Sequence, residues 1–307
     1  MNRRWRHRRN AAAGGLLLTA CSIGSAWAAQ QPNAPWNLAR VSQRAPVTST
    51  FTYPDHAGNG VSVYVLSAGV DTEHPDFEGR AGAGNSFVPD GSDEACQGMG
   101  TLMAGSAIGK TYGVAKKATV VDVRVARCDG TAEAGTVIKG IEWALDNPMG
   151  AKGNILLINW VGKKSEAVNQ AVAKAHSRGF LVVVPAGEGG QDACLDSPGS
   201  SAEALTVGAT TVEDQFRQSS GRGGCVDVLA PGEDIRSAWP GAEVGTGSGT
   251  ALAAAHAAGV AATYMSAEYM TPDTALATIT REATRNAVMN LPPNTPNLLV
   301  YNGGDSR

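Results

Sequence analysis

Apolar and polar positions fall into alternating blocks along most of the chain. Short runs that are mostly apolar and rich in β-branched side chains occur at 61–66, 119–125, 154–160, 180–184, 204–207 and 226–229. Such runs predict strands buried on both faces. Between them lie segments with helical spacing. Val137, Ile138, Ile141 and Trp143 form an apolar side over 135–147, and Ser165 stands where it can cap a helix over 165–178. Thr271-Pro272-Asp273 is a helix start, with a capping hydroxyl, a proline in the first turn and an acid against the helix dipole. Strand and helix in alternation predict an α/β fold: three layers, with a doubly wound, mostly parallel sheet and helices on both faces.

One stretch departs from this pattern. The glycine-containing loop 245–249 runs directly into Thr250-Ala251-Leu252-Ala253-Ala254-Ala255-His256, an Ala-rich segment with no β-branched residue after Thr250 until Val260. This predicts a helix that packs closely on every face and is buried, its first amides aimed at whatever precedes it.

The N-terminus is of another kind. Residues 1–10 carry five arginines and no acid, and an apolar run follows at 11–20. That is the build of an export signal, too short for a stable membrane span. Two exits are written into it: Ala26-Trp27-Ala28 suits signal peptidase, giving a signal at 1–28 and one mature domain at 29–307. Leu18-Thr19-Ala20-Cys21 suits a lipobox that would leave Cys21 acylated and the membrane reached only through that anchor. Removing the five arginines leaves 20 basic against 28 acidic side chains, a net charge of −8, which speaks against nucleic-acid partners. At 43% apolar and 6% aromatic the composition is that of a globular domain, expected to be monomeric.

Four cysteines follow the signal: Cys96, Cys128, Cys194 and Cys225. Export favours pairing, and four cysteines allow three connectivities. No CxxC and no nearby histidine support a metal site among them.

Taken together, these segments resemble the proteinase K-like bacterial branch of the subtilisin-like serine proteases. The resemblance rests on Ala34-Pro35-Trp36-Asn37-Leu38, Val63-Tyr64-Val65-Leu66-Ser67-Ala68-Gly69-Val70, Thr111-Tyr112-Gly113-Val114-Ala115-Lys116-Lys117, Thr206-Val207-Gly208-Ala209-Thr210, Ala230-Pro231-Gly232 and Thr295-Pro296-Asn297-Leu298-Leu299, and on G-T-x-x-A-x-x-H-x-A-G at 249–259. It implies the pairs Cys96–Cys128 and Cys194–Cys225. It also implies four catalytic positions, and each holds an unexpected residue. Ser67 stands at the aspartate position, Met99 at the histidine, Ala251 at the nucleophilic serine and Glu188 at the oxyanion asparagine. Methionine takes no proton, and general-base catalysis is worth about 10²–10⁴-fold. Alanine has nothing to attack with, and a carboxylate replaces a donor. The family's specificity wall falls on Trp160, Val161, Gly162 and Lys163, bulkier than expected. His74 and His256 match family positions of structural character.

The expectation drawn from this is a chain that is not an enzyme: an exported, inactive pseudoprotease whose cleft binds a peptide or protein, with a protease among the candidate partners. It would work in the periplasm or medium, or lipid-anchored in the envelope. Two alternatives stand beside it, a hydrolase of the same family with a rewired active site, and an envelope lipoprotein using the fold as a scaffold. The export signal ends a few residues before Ala34, so no prodomain is expected. No cofactor is required. Asp227 matches a calcium-ligand aspartate, with backbone carbonyls of Ala202 and Ala204 as companions; the alternative is an ordinary aspartate at a strand end.

Overall fold

The computed structural model describes residues 28–44, 48–88, 96 and 98–304. The expected signal cleavage region and Cys21 lie outside the described residues, save Ala28.

Nine strands form one sheet in the spatial order Thr284–Arg285, Leu298–Leu299, Val228–Pro231, Ala204–Thr210, Phe180–Pro185, Gly153–Ile158, Val61–Ser67, Thr119–Arg124, Ala81–Ser86. Every neighbouring pair is parallel except Thr284–Arg285 against Leu298–Leu299. Each predicted strand is present, with ends moved by one to three residues. The shift is largest where 204–207 extends to Thr210, because the Val228–Pro231 strand pairs with it from Val207 to Thr210.

The period of two along the strands divides the core. Val61, Val63, Val65, Ile155 and Leu157 join the cluster that holds α2 (Met99–Ile108) and α5 (Thr250–Ala267). Tyr64, Leu66, Leu156 and Ile158 point the other way, into a cluster with α3 (Ala134–Asp146) and α4 (Glu166–Ser177). Helices therefore cover both faces, as the continuous apolar runs require. Two further helices, α1 (Trp36–Val41) and α6 (Pro272–Glu282), complete the α2–α5 side.

Fifteen of the eighteen residues of α5 are buried, which makes it the helix around which that layer is packed. Its small side chains permit this: a Cβ added to Gly259 would stand 2.7 Å from Val114 Cβ and 2.8 Å from Ala107 O. Thr271 caps α6 as predicted, accepting from the Thr274 amide, with Pro272 and Asp273 in the first turn. Ser165 occupies the N-cap of α4 without a capping side-chain bond, contrary to expectation. Tertiary structure explains the difference, since the Ser165 amide and carbonyl are both engaged by the Ser197 hydroxyl.

From the Val61–Ser67 strand the chain goes to the edge strand Ala81–Ser86 and returns through Thr119–Arg124 on one side, then crosses to Gly153–Ile158 and builds to the other. That reversal opens a crevice at the carboxyl ends of these strands, the usual place for a ligand in a doubly wound sheet.

Candidate active-site cleft

Two disulfides frame the crevice. Cys96 is bonded to Cys128 and Cys194 to Cys225, the pairing the resemblance implied. Each of the four sulfurs is thereby committed to a covalent partner. The Cys96 amide reaches Ala68 O at 3.4 Å, tying the start of α2 to the strand that ends at Ser67. Arg124, the register partner of Ser67, donates from one amino group to both sulfurs, at 3.2 Å to Cys96 and 3.4 Å to Cys128.

The cleft itself has a volume of about 670 Å³ and is lined by Gly130, Thr131 and Ala132, by Asn159, Trp160 and Val161, and by Pro185, Gly187, Glu188, Met99, Ser248, Gly249, Thr250 and Ala251. Met99, Glu188 and Ala251 thus converge from three separate parts of the chain. Ser67 lies just behind them and is fully buried. A Cβ on Gly100 would meet Ser67 Oγ at 2.3 Å and Gly69 O at 2.2 Å, so α2 approaches the strand end as closely as a glycine allows. Gly98 opens α2 at φ 70°, with Trp239 against it where any side chain would stand, 2.4 Å away.

Glu188 forms the most connected group in the cleft. Its Oε1 accepts the Thr250 amide at 2.6 Å. Its Oε2 accepts from Arg217 Nη1 at 2.5 Å and from the Ser219 hydroxyl at 2.9 Å. Arg217 also donates to Ser219 Oγ and lies 3.6 Å from Glu233. The carboxylate therefore stands at the N-terminus of α5, where the helix dipole and a free amide favour an anion. Arg217 and Ser219 were not singled out from sequence. They come from a segment that follows the Ala204–Thr210 strand and folds back antiparallel, pairing Ser220 with Glu188. No local pattern announces that return.

The other polar groups near residue 251 are already engaged. Ser248 Oγ accepts the Asp234 amide at 2.9 Å, and Thr250 Oγ1 donates to Gly187 O at 3.3 Å. His256 is fully buried on α5; its Nε2 pairs with Asn37 Nδ2 at 2.6 Å and Nδ1 with Leu252 O at 2.7 Å, and burial pushes its pKa down to about 4. His74 Nδ1 accepts the Asp76 amide at 3.1 Å. Both histidines are structural, as expected.

The expected wall 160–163 divides. Trp160 and Val161 line the cleft, but Gly162 and Lys163 do not. The correction has a simple cause: Gly162–Lys163 leaves the cleft as a short strand antiparallel to Asp196–Ser197. Trp160 folds over Gly162, whose added Cβ would lie 2.4 Å from the ring, and its Nε1 donates to Ala132 O at 3.1 Å. The indole thereby bridges the 130–132 and 160–162 walls.

At the far side of the sheet, Asp227 Oδ2 accepts the Thr206 amide at 2.8 Å, and burial raises its carboxyl to about 6. Among the described residues no three His, Cys, Asp or Glu side chains gather as a metal site. A cation at Asp227 would thus depend on backbone carbonyls.

The family model described as Subtilase family matches residues 58–299. The Subtilisin-like serine protease Pen c 2 of Penicillium citrinum is 37% identical over 90% of this chain and 66% of its own length. Subtilisin-like protease 1 of Trichophyton rubrum is 38% identical, over 90% of this chain and 55% of its own. The chain spans between about half and two thirds of these fungal relatives. Among solved structures, a cold adapted subtilisin-like serine proteinase superposes with a TM-score of 0.84 at 36% identity, covering 88% of this chain and 98% of that one. These findings overturn the expectation that the chain is not an enzyme. Relatives at this identity over nine tenths of the chain are named serine proteases, and the match points to an enzyme. The two disulfides agree with an exported protein.

Proposed function

The chain belongs to the subtilase family, and from that premise we propose that its cleft receives an extended segment of a peptide or unfolded protein. One observation carries this reading: Met99, Trp160, Val161, Glu188 and Ala251, with residues 130–132, line a single crevice at the carboxyl ends of the strands. The apolar wall of Trp160 and Val161 facing residues 130–132 suits a peptide that inserts side chains between them.

Peptide-bond hydrolysis is the activity that the relatives' names suggest. Residue 251 has no nucleophilic atom, so a hydrolytic route here would draw its hydroxyl from elsewhere. The observation favouring such a rewired route is the Ser219 hydroxyl, 2.9 Å from the Glu188 carboxylate. In this second reading Glu188 takes the Ser219 proton as the hydroxyl adds to the peptide carbonyl, returns it to the departing amine as the C–N bond breaks, and water then releases the acyl group. Ser67, Met99 and Ala251 retain only the places that the resemblance gives to the family's triad.

Fluorescein-labelled unfolded casein tests both readings. We expect binding by fluorescence polarisation that weakens at least tenfold in Val161→Arg, which places a long cation in the cleft while leaving the core untouched. Undiminished binding in that variant, or none in the wild type, would refute the cleft reading. New peptide termini in mass spectrometry, together with fluorophosphonate labelling of Ser219 that Ser219→Ala abolishes, would establish the rewired route.

Calcium at Asp227, with the carbonyls of Ala202 and Ala204, is part of the same proposal. One carboxylate oxygen is taken by Thr206, and the other is available to a hard cation. Export by release after Ala28 or by acylation of Cys21 is distinguished by the mass of the mature N-terminus.

A further inference from the structure

Asp196 does not appear in any catalytic pattern, yet it stands beside the cleft. It opens the short strand Asp196–Ser197, which pairs antiparallel with Gly162–Lys163 in the register Lys163↔Asp196 and Gly162↔Ser197. Residues directly opposite on such a ladder share a face, and residues two apart along a strand share it too. Asp196 and Lys163 therefore share one face of the ladder, and of the two it is Asp196 that, with Val161, approaches Gly187. A Cβ built on Gly187 would lie 3.5 Å from Val161 Cγ1 and 4.0 Å from Asp196 Oδ2. Gly187 has φ 98° and no side chain, so the space between the cleft and the Asp196 carboxylate is open.

That carboxylate is half-buried, and among the described residues it takes no hydrogen bond and no ion pair. The neighbouring charges are otherwise committed. Glu188 is held by Arg217, Ser219 and Thr250, and Arg217 is shared with Glu233. Lys163 is exposed and makes no ion pair within 4 Å, although it sits across the ladder from Asp196. With no protein partner, the Asp196 carboxylate is free to form a charge-assisted hydrogen bond with a ligand cation. Trp160, Val161 and Pro185 line the adjoining cleft, and their apolar surface suits the aliphatic stem of a long basic side chain.

We propose that Asp196 makes the cleft selective for a lysine or arginine side chain of the bound peptide. The inference rests on the peptide-cleft reading and adds to it the chemical class of the recognised residue. Lys163 would act as the internal competitor for the same carboxylate.

The test uses three fluorescein-labelled pools of random octapeptides, alike except for lysine, norleucine or glutamate at one central position. Polarisation should give the lysine pool at least tenfold tighter binding than the norleucine pool. Asp196→Asn should bring that ratio close to one while both pools still bind, and Lys163→Ala should raise it. Charge reversal in Asp196→Lys should shift preference to the glutamate pool. Thermal unfolding of each variant separates misfolding from lost selectivity, and the norleucine pool reports an intact cleft in every one. Equal binding of all three pools to the wild type, or a lysine preference that survives Asp196→Asn, would overturn the role of Asp196 and leave the cleft reading standing. Failure of every pool to bind would overturn both.

Discussion

Glu188 Oε1 accepts the amide hydrogen of Thr250 at 2.6 Å, so the chain supplies its own carboxylate to the N-terminus of α5. The other oxygen is clamped by Arg217 and Ser219. One residue thereby joins the Phe180–Pro185 strand end, the 217–220 return and the central helix. Gly249 is needed for this contact: it has φ 149°, and a Cβ there would lie 3.1 Å from Glu188 Oε1.

Because the Glu188 side chain is 48% exposed and Arg217 19%, the pair contributes modestly in spite of its geometry. Glu188→Ala and Arg217→Ala should each lower stability by about 1 kcal/mol. The double variant should lose less than their sum, with a coupling of about 0.5–1 kcal/mol. Urea unfolding of the four proteins measures this. Strict additivity would mean the contact carries no stability.

Acid should act through His256. Its folded pKa of about 4 is below the ordinary value, so the folded chain binds fewer protons than the unfolded chain across the interval between them. The stability from keeping this ring neutral is complete above about pH 6.5 and is lost as pH falls toward 4, in total about 3 kcal/mol. His256→Gln should be less stable at pH 7 but lose less between pH 6.5 and 4. Denaturant melts at pH 7 and 4.5 for both chains check this, and equal losses would refute it.

Asp227 carries the opposite sign. Burial raises its carboxyl to about 6, so the folded chain holds a proton that the unfolded chain has released, and stability from this group falls as pH rises from about 4 to 6. Asp227→Asn keeps an acceptor for the Thr206 amide and should raise stability at pH 7 by about 2–3 kcal/mol without calcium. If the proposed cation binds, millimolar calcium should raise the melting temperature of the wild type and leave the variant unchanged. Calorimetry with and without a chelator reads both effects.

Close approach between layers is a separate vulnerability. Gly100→Ala would put a methyl group 2.2 Å from Gly69 O and 2.3 Å from Ser67 Oγ, and Gly259→Ala one 2.7 Å from Val114 Cβ. Neither backbone can yield without moving a helix. Each change should cost about 1–3 kcal/mol even though alanine is the better helix former. A melting temperature unchanged by either would show that α2 and α5 have slack against their neighbours.

The resemblance in the sequence placed Met99, Glu188 and Ala251, and the structure brings all three to one cleft. It also gave the cysteine pairs, which residue spacing alone left open. It did not reveal Arg217, Ser219 or Asp196, because each reaches the site through a strand return or a two-residue ladder rather than a periodic element. Gly162 and Lys163 were expected in the wall for the converse reason: a short strand begins there and carries them away from it.

What the sequence determined by itself is the architecture. Continuous β-branched runs must be covered on both faces, helical periods supply the covers, and the Ala-rich segment after Gly249 can be buried only because its side chains are small. What only tertiary structure decided is the electrostatics of the cleft. Whether a carboxylate there is clamped, as Glu188 is, or left without a partner, as Asp196 is, depends on atoms a few ångströms away that are 29 to 62 residues distant in the chain.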